Sequence, residues 1–226
     1  SWNNSGATPA HHNPYTKWKY YDWITPTQLT SPQQVSMQNS AENQADFYYY
    51  TTPTNGEYWL MENRQKTGFD SYVPGHGLLI FHVDESHINA NDWGNDINVG
   101  SHQGLYPVYA TATGNPPANY GTINSDGTPF PGTGAKTEFT DVTTPASISW
   151  AGANTNKPIT AIVEQSSTIS FDFMGGGNNP ANFTAIASST SQINLGWEAS
   201  DFEGVLLAVS TNGTFGIPVD GTNYNA

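Results

Sequence analysis

The sequence predicts a mainly β fold: a sandwich-like β domain with a short N-terminal helix, then part of a second β-sandwich. Three observations predict it. Uncharged polar residues (Asn, Gln, Ser, Thr) outnumber charged ones about threefold, and aromatic residues make up 13% of the chain. That balance suits strands joined by long turns and fits helix bundles poorly. Short apolar or alternating segments recur between breakers such as PTNG (53–56), PGHG (74–77), NPP (115–117) and DGTPFPGTG (126–134), as strands and turns do. Finally, the glycine-rich stretch MGGGNNPAN (174–182) has linker composition, and a new alternating pattern starts beyond it.

Taken in order, residues 1–13 are polar and irregular. Residues 14–24, PYTKWKYYDWI, predict a helix with Pro14 in its first turn and Tyr15, Trp18, Tyr21 and Trp23 at near-helical spacing; Pro26 stops it. From residue 29 the expected strands are QQVSMQ, QADFYYYTT, EYWLMEN, GLLIFHVD, GLYPVYAT, KTEFT, ITAIVEQ and TISFDFM. GLLIF (77–81) is continuously apolar, so it reads as a central strand buried on both faces. After the linker come ANFTAIASS, QINLGWEAS and GVLLAVST, where Ile193, Leu195 and Trp197 alternate. The expected division is therefore 1–28, 29–173, a linker at 174–182, and 183–226.

With 226 residues, the chain is long enough for a real hydrophobic core. It has no cysteine, which excludes disulfides, thiol nucleophiles and cysteine-ligated zinc. Its net charge is −13, with Arg64 the sole arginine; nucleic-acid binding, which needs clustered cations, is not expected. No apolar run is long enough to span a membrane. The opening SWNNSGATPA is not a signal peptide, so secretion would require a signal upstream of it. The composition resembles that of secreted or cell-surface bacterial β proteins. Asn3, Asn182 and Asn212 begin N-x-S/T triplets, which an Asn- and Thr-rich chain produces by chance.

Few motifs carry chemistry. The histidines are 11, 12, 76, 82, 87 and 102, and none falls in an H-E-x-x-H helix or another strong zinc-ligand spacing. Asp84, Glu85, Asn89, Asn91, Asp92 and Asp96, in DESHINANDWGND, offer the hard oxygen ligands that calcium prefers, without the EF-hand spacing; the alternative is a polar loop of Asx turns. No G-x-S-x-G elbow accompanies the serines. Glu57, Glu62 and Asp84 lie on adjacent expected strands and would suit glycosidase chemistry if they shared a cleft.

Three separated segments resemble the immune inhibitor A family of secreted zinc metallopeptidases. SWNNSGATPAHHNPYTKWKYYDWITPTQLT looks like the stretch after that family's active-site methionine turn. EYWLMENRQKTGFDSYVPGHGLLIFHVDE looks like its E-N-R-Q strand leading through a turn into G-x-G-L-L-I-x-H-V-D. PFPGTGAKTEFTDVTTPASISWAGANTNKPITAI resembles its final strands. The match runs in order over roughly residues 1–173. Beyond the linker, PANFTAIASSTSQINLGW resembles the first two strands of a fibronectin type III domain, with Trp197 as the core tryptophan. Only 44 residues follow the linker, against roughly 100 for a complete sandwich, so the expectation is a truncated module and a fragmentary chain.

The resemblance implies peptide-bond hydrolysis by metal-activated water, with protein substrates and a zinc cofactor. The family's H-E-x-x-H helix lies upstream of the SWNN segment, so the zinc ligands and the general base are not in this sequence. No catalytic residue carries over, and an upstream zinc-binding subdomain of the same polypeptide becomes the expected partner. The residues that do match are Glu62, Asn63, Arg64, Gly75, Gly77, His82 and Asp84. Arg64 could pair with Glu62 or Asp84 to fix the sheet. The two glycines would permit a tight turn. His82 and Asp84, on one strand face, could bond each other or hold a cation. Trp2, Trp18, Tyr21 and Trp23 are expected to be exposed where the upstream subdomain would pack. The rival readings are a non-catalytic module binding polysaccharide or protein, and a self-contained hydrolase using Glu62 and Asp84.

Overall fold

A computed structural model of the chain describes residues 3–114, 124–176, 181–190 and 192–198. In chain order its elements are α1 (Pro14–Lys19), β1 (Thr27–Gln28), β2 (Gln33–Met37), β3 (Phe47–Thr51), β4 (Glu57–Arg64), β5 (Gly77–Asp84), α2 (Glu85–Asn91), β6 (Leu105–Pro107), β7 (Ile159–Gln165), β8 (Thr168–Phe173), β9 (Ala181–Ser189) and β10 (Gln192–Glu198). The fold is mainly β. A five-stranded sheet runs β1-β3-β4-β5-β6, and a three-stranded sheet runs β2-β8-β7. Among the described strands, only the β1–β3 pair is parallel.

The alternation of β4 and β5 decides the layering. Trp59 and Met61 of β4 and Leu78 and Ile80 of β5 share one core with Val35, Met37, Ile159, Ile169, Phe171 and Phe173 of the smaller sheet. The two sheets thus form a sandwich. Tyr58, Leu60, Phe81 and Val83 point the other way, into a second core closed by Tyr15 of α1 and Ile88 of α2. Covering on both faces is why β5 reads as an unbroken apolar run. Register runs from Glu57 opposite Asp84 to Arg64 opposite Gly77.

Several expected elements are shorter than the sequence suggests: GLYPVYAT reduces to β6 and QADFYYYTT to β3, and two others shorten for visible reasons. The helix expected over 14–24 ends at Lys19. The amides of Tyr20 and Tyr21 both donate to the Thr16 carbonyl, Trp23 N donates to Lys17 O, and Asp22 turns left-handed at φ 53°, closing the helix with a reversed turn. Trp18 consequently stays on the packed side, half-buried against Tyr49 and Tyr58, rather than exposed as expected. Tyr21 and Trp23 are exposed, as is Tyr20. The expected strand KTEFT reduces to one bridge, Phe139 with Ile159. A register shift in β7 between Thr160 and Val163 breaks the ladder there, with Ala161 at positive φ.

By contact the chain divides into two units, 1–176 and 177–226. In the second, β9 and β10 form an antiparallel pair, with Ile186 and Leu195 exposed. The expected strand 204–211, the side chains of Ile193 and Trp197, and Trp2 lie outside the described residues.

Candidate functional site

The E-N-R segment splits across the sheet. Glu62 and Arg64, two apart on β4, share the face turned toward α1, while Asn63 faces the sandwich core. Glu62 is fully buried. Arg64 Nη2 lies 2.7 Å from Glu62 Oε1, and Lys17 Nζ, brought in by α1, lies 3.7 Å from Oε2. Neither Glu62 oxygen has a partner of hydrogen-bond geometry, so charge attraction does the compensating. Burial pushes the Lys17 ammonium below the usual lysine range, and Glu62 opposes that shift. Lys17 also sits over the Phe47 ring at 5.1 Å.

Arg64 also holds the N-terminal segment by its backbone. Nη1 donates to His11 O at 3.2 Å and Nη2 to His12 O at 3.0 Å. Buried Asp70, in the 3-10 turn Gly68–Asp70, accepts from His11 N at 2.9 Å and lies 3.9 Å from Arg64 Nε. The next residues lead into α1, whose cap Asn13 accepts from Thr16 N and whose first residue is Pro14. Beyond the clamp the chain presents aromatic rings: Tyr21 and Trp23 are 4.5 Å apart, and His12 stands edge-on to Tyr21 at 5.1 Å.

Asn63 ties the two sheets. Its amide donates to Met37 O and Ser167 O, each at 2.8 Å. Gln65 donates to Asn63 Oδ1 and to Glu164, which His76 also meets at 2.7 Å. Gly77 has φ +128°, and a side chain there would meet the Phe130 carbonyl at 2.5 Å; this backbone approach allows only glycine. A side chain at Gly75 would come within 2.9 Å of Asp126 Cα.

His82 and Asp84 share a face but do not bond each other. His82 is fully buried; its Nε2 is 2.6 Å from Glu57 Oε1 and its Nδ1 3.0 Å from the Tyr106 hydroxyl. Glu57 Oε1 also accepts Trp150 N at 2.7 Å. The consistent tautomer carries the proton on Nε2, donated to Glu57, with Nδ1 accepting from Tyr106. Trp59 stacks on the ring at 4.0 Å. Burial holds the imidazole below its usual pKa, against the pull of Glu57. Both ring nitrogens are engaged and no solvent reaches them, so this pair is structural rather than an acid–base couple for a substrate.

The stretch 84–96, expected as a loop, instead forms α2 and a 3-10 turn (Asp92–Gly94). Asp84 caps α2 by accepting from His87 N at 3.0 Å and meets His102 Nε2 at 2.9 Å. Glu85 pairs with Lys19 at 2.8 Å and accepts from the Tyr58 hydroxyl at 2.9 Å. Asn89, Asp92 and Asp96 are exposed along and beyond the helix. Among the described residues, no three His, Asp or Glu side chains stand together as a metal-holding group.

Among the described residues the histidines are engaged separately. His82 is fully engaged, while His102, His76 and His11 each face a carboxylate. His12 packs on Tyr21, and His87 stacks flat on His102 at 4.3 Å, a geometry in which two rings cannot chelate one ion. Nor do the carboxylates share a cleft: Glu57 and Glu62 are buried on opposite faces of β4, and Asp84 lies on the Glu57 side. The residues that sequence reasoning missed are Lys17, His11, Asp70, Tyr106 and Trp150, whose partners lie far off in sequence. No family model, curated protein or solved structure matches this chain.

Proposed function

We propose that this chain is the downstream, non-catalytic part of a secreted zinc metalloendopeptidase. In this reading a β-sandwich buttresses a zinc-binding subdomain that precedes it in the polypeptide, and a fibronectin type III module follows. Residues outside this sequence would supply the metal, its ligands and the general base. The observation that carries the reading is the clamp: Arg64, Glu62, Asp70 and Lys17 fasten residues 11–19 to the sandwich with buried charge. A clamp of this kind transmits a fixed geometry to whatever chain precedes it. Just past it, Tyr20, Tyr21 and Trp23 expose an aromatic patch of the sort that marks protein–protein contact.

The test is a longer polypeptide carrying the upstream region. Y21S/W23S, in exposed residues, should leave the sandwich folded yet sharply reduce casein hydrolysis by that polypeptide, with release of the upstream domain to limited proteolysis. Full activity in the double variant would overturn the docking role.

A further inference from the structure

An open cleft of about 550 Å³ lies between the end of α1, the end of β3 and the turn that joins β3 to β4. Its wall is aromatic: Trp18 and Tyr49 are half-buried, Tyr58 is buried behind them, and Lys19 Nζ lies 3.8 Å over the Trp18 ring. Trp18 and Tyr49 are 5.3 Å apart, Trp18 and Tyr58 5.9 Å, and Tyr49 and Tyr58 5.6 Å. Lys19 and Glu85, each about one-third exposed, form a charge pair on one side. The other rim is the turn carrying Thr54 and Asn55, exposed and with polar side-chain atoms turned to no partner.

From this juxtaposition we propose that the cleft binds a short neutral oligosaccharide. Three features point to that chemistry. The cleft's accessible charges, Lys19 and Glu85, cancel, which disfavours phosphates and acidic polymers and suits an uncharged ligand. The half-buried Tyr49 and Trp18 rings offer apolar surface for pyranose C–H groups, beside the Tyr49 hydroxyl. The remaining capacity is a mixed set: Glu85 Oε2 accepts, Lys19 donates, and the Thr54 hydroxyl and Asn55 amide do both. Vicinal sugar hydroxyls, each donor and acceptor at once, satisfy such a set, whereas an apolar peptide would leave it unpaired. The volume is that of a small-ligand site, and the open ends suit a segment of a longer chain. This site does not depend on the metallopeptidase reading: Trp18 and Lys19 lie on the segment that the clamp holds, but none of Arg64, Glu62, Asp70 and Lys17 lines the cleft.

The experiment is titration of the intact chain with cellotetraose, maltotetraose and chitotetraose, read by tryptophan fluorescence and by calorimetry. The expected result is saturable binding of one of them, with Kd of about 1 mM or tighter. T54A/N55A, in two exposed turn residues, should weaken binding by about tenfold, and Y49A should abolish it. Three results would overturn the proposal: no saturable binding of any of the three, binding unchanged in both variants, or capture of peptides but no sugar by this cleft.

Discussion

Arg64→Ala removes the centre of the clamp, and the structure sets its cost. Glu62 would remain fully buried with only Lys17, 3.7 Å away, as a counter-charge. Breaking a buried ion pair from one side costs about 3–5 kcal/mol, and Lys17 keeps the loss near the lower end, about 3 kcal/mol. Two guanidinium hydrogen bonds to the His11 and His12 carbonyls go as well, adding about 1 kcal/mol each. The sum, about 5 kcal/mol, is a large part of a domain's total stability. Urea unfolding of the full chain, followed by tryptophan fluorescence, measures it. Arg64→Lys should recover less than half, because lysine cannot hold the carboxylate and two carbonyls in one fork. The double variant R64A/E62Q should be less destabilised than the two single losses added, by about 2 kcal/mol. Limited proteolysis of R64A should cut within residues 3–24 before the sandwich unfolds. A loss under about 1 kcal/mol, with that segment still protected, would refute the reasoning and return the pair to the rank of a surface salt bridge.

Other expectations follow from single sites. His82 is held below its ordinary pKa by burial, so between that depressed value and the ordinary one near 6.5 the unfolded chain binds more protons. Stability should therefore fall as pH drops through that window and stay flat above it; thermal melts between about pH 4 and about pH 8 would show it, and H82Q should flatten the slope. Gly77→Ala should cost about 2 kcal/mol or more, because the new methyl meets the Phe130 carbonyl; an unchanged denaturation midpoint would contradict the close approach. Asp84→Ala should cost about 1 kcal/mol through the lost cap of α2. Asp84→Asn should restore most of it, by hydrogen exchange at His87 as well as by melting.

Much of the fold was legible because periodicity reports burial. EYWLMEN and GLLIFHVD gave their strands almost to the residue, since both cores demand apolar side chains along β4 and β5. Helix α2 was hidden by its composition: ESHINAN is poor in strong helix formers, and only Ile88 is buried. Its one signal was Asp84 at a cap position. KTEFT had strand chemistry but keeps only the Phe139–Ile159 bridge, because β7 is irregular between Thr160 and Val163, beside the segment it would join. The site was legible only in part. The sequence offered Glu62 or Asp84 as the partner of Arg64; the shared strand face selects Glu62, with Asp84 at the far end of the register, but Lys17, Asp70 and His11 reach them across chain separations that no local pattern encodes. Glu57 and His82 were likewise invisible as a pair, because cross-strand pairing, not spacing, brings them together.

In the proposed function this chain would support zinc chemistry located upstream and perform none itself. Casein hydrolysis with added zinc and with a chelator, on this chain and on a longer polypeptide carrying the upstream zinc-binding subdomain that the proposal requires, tests it most directly. The account predicts no hydrolysis by this chain and chelator-sensitive hydrolysis by the longer one. Chelator-sensitive activity in this chain alone would contradict it, because the metal would then have to be held by His11, His12, His76, His82, His87 or His102.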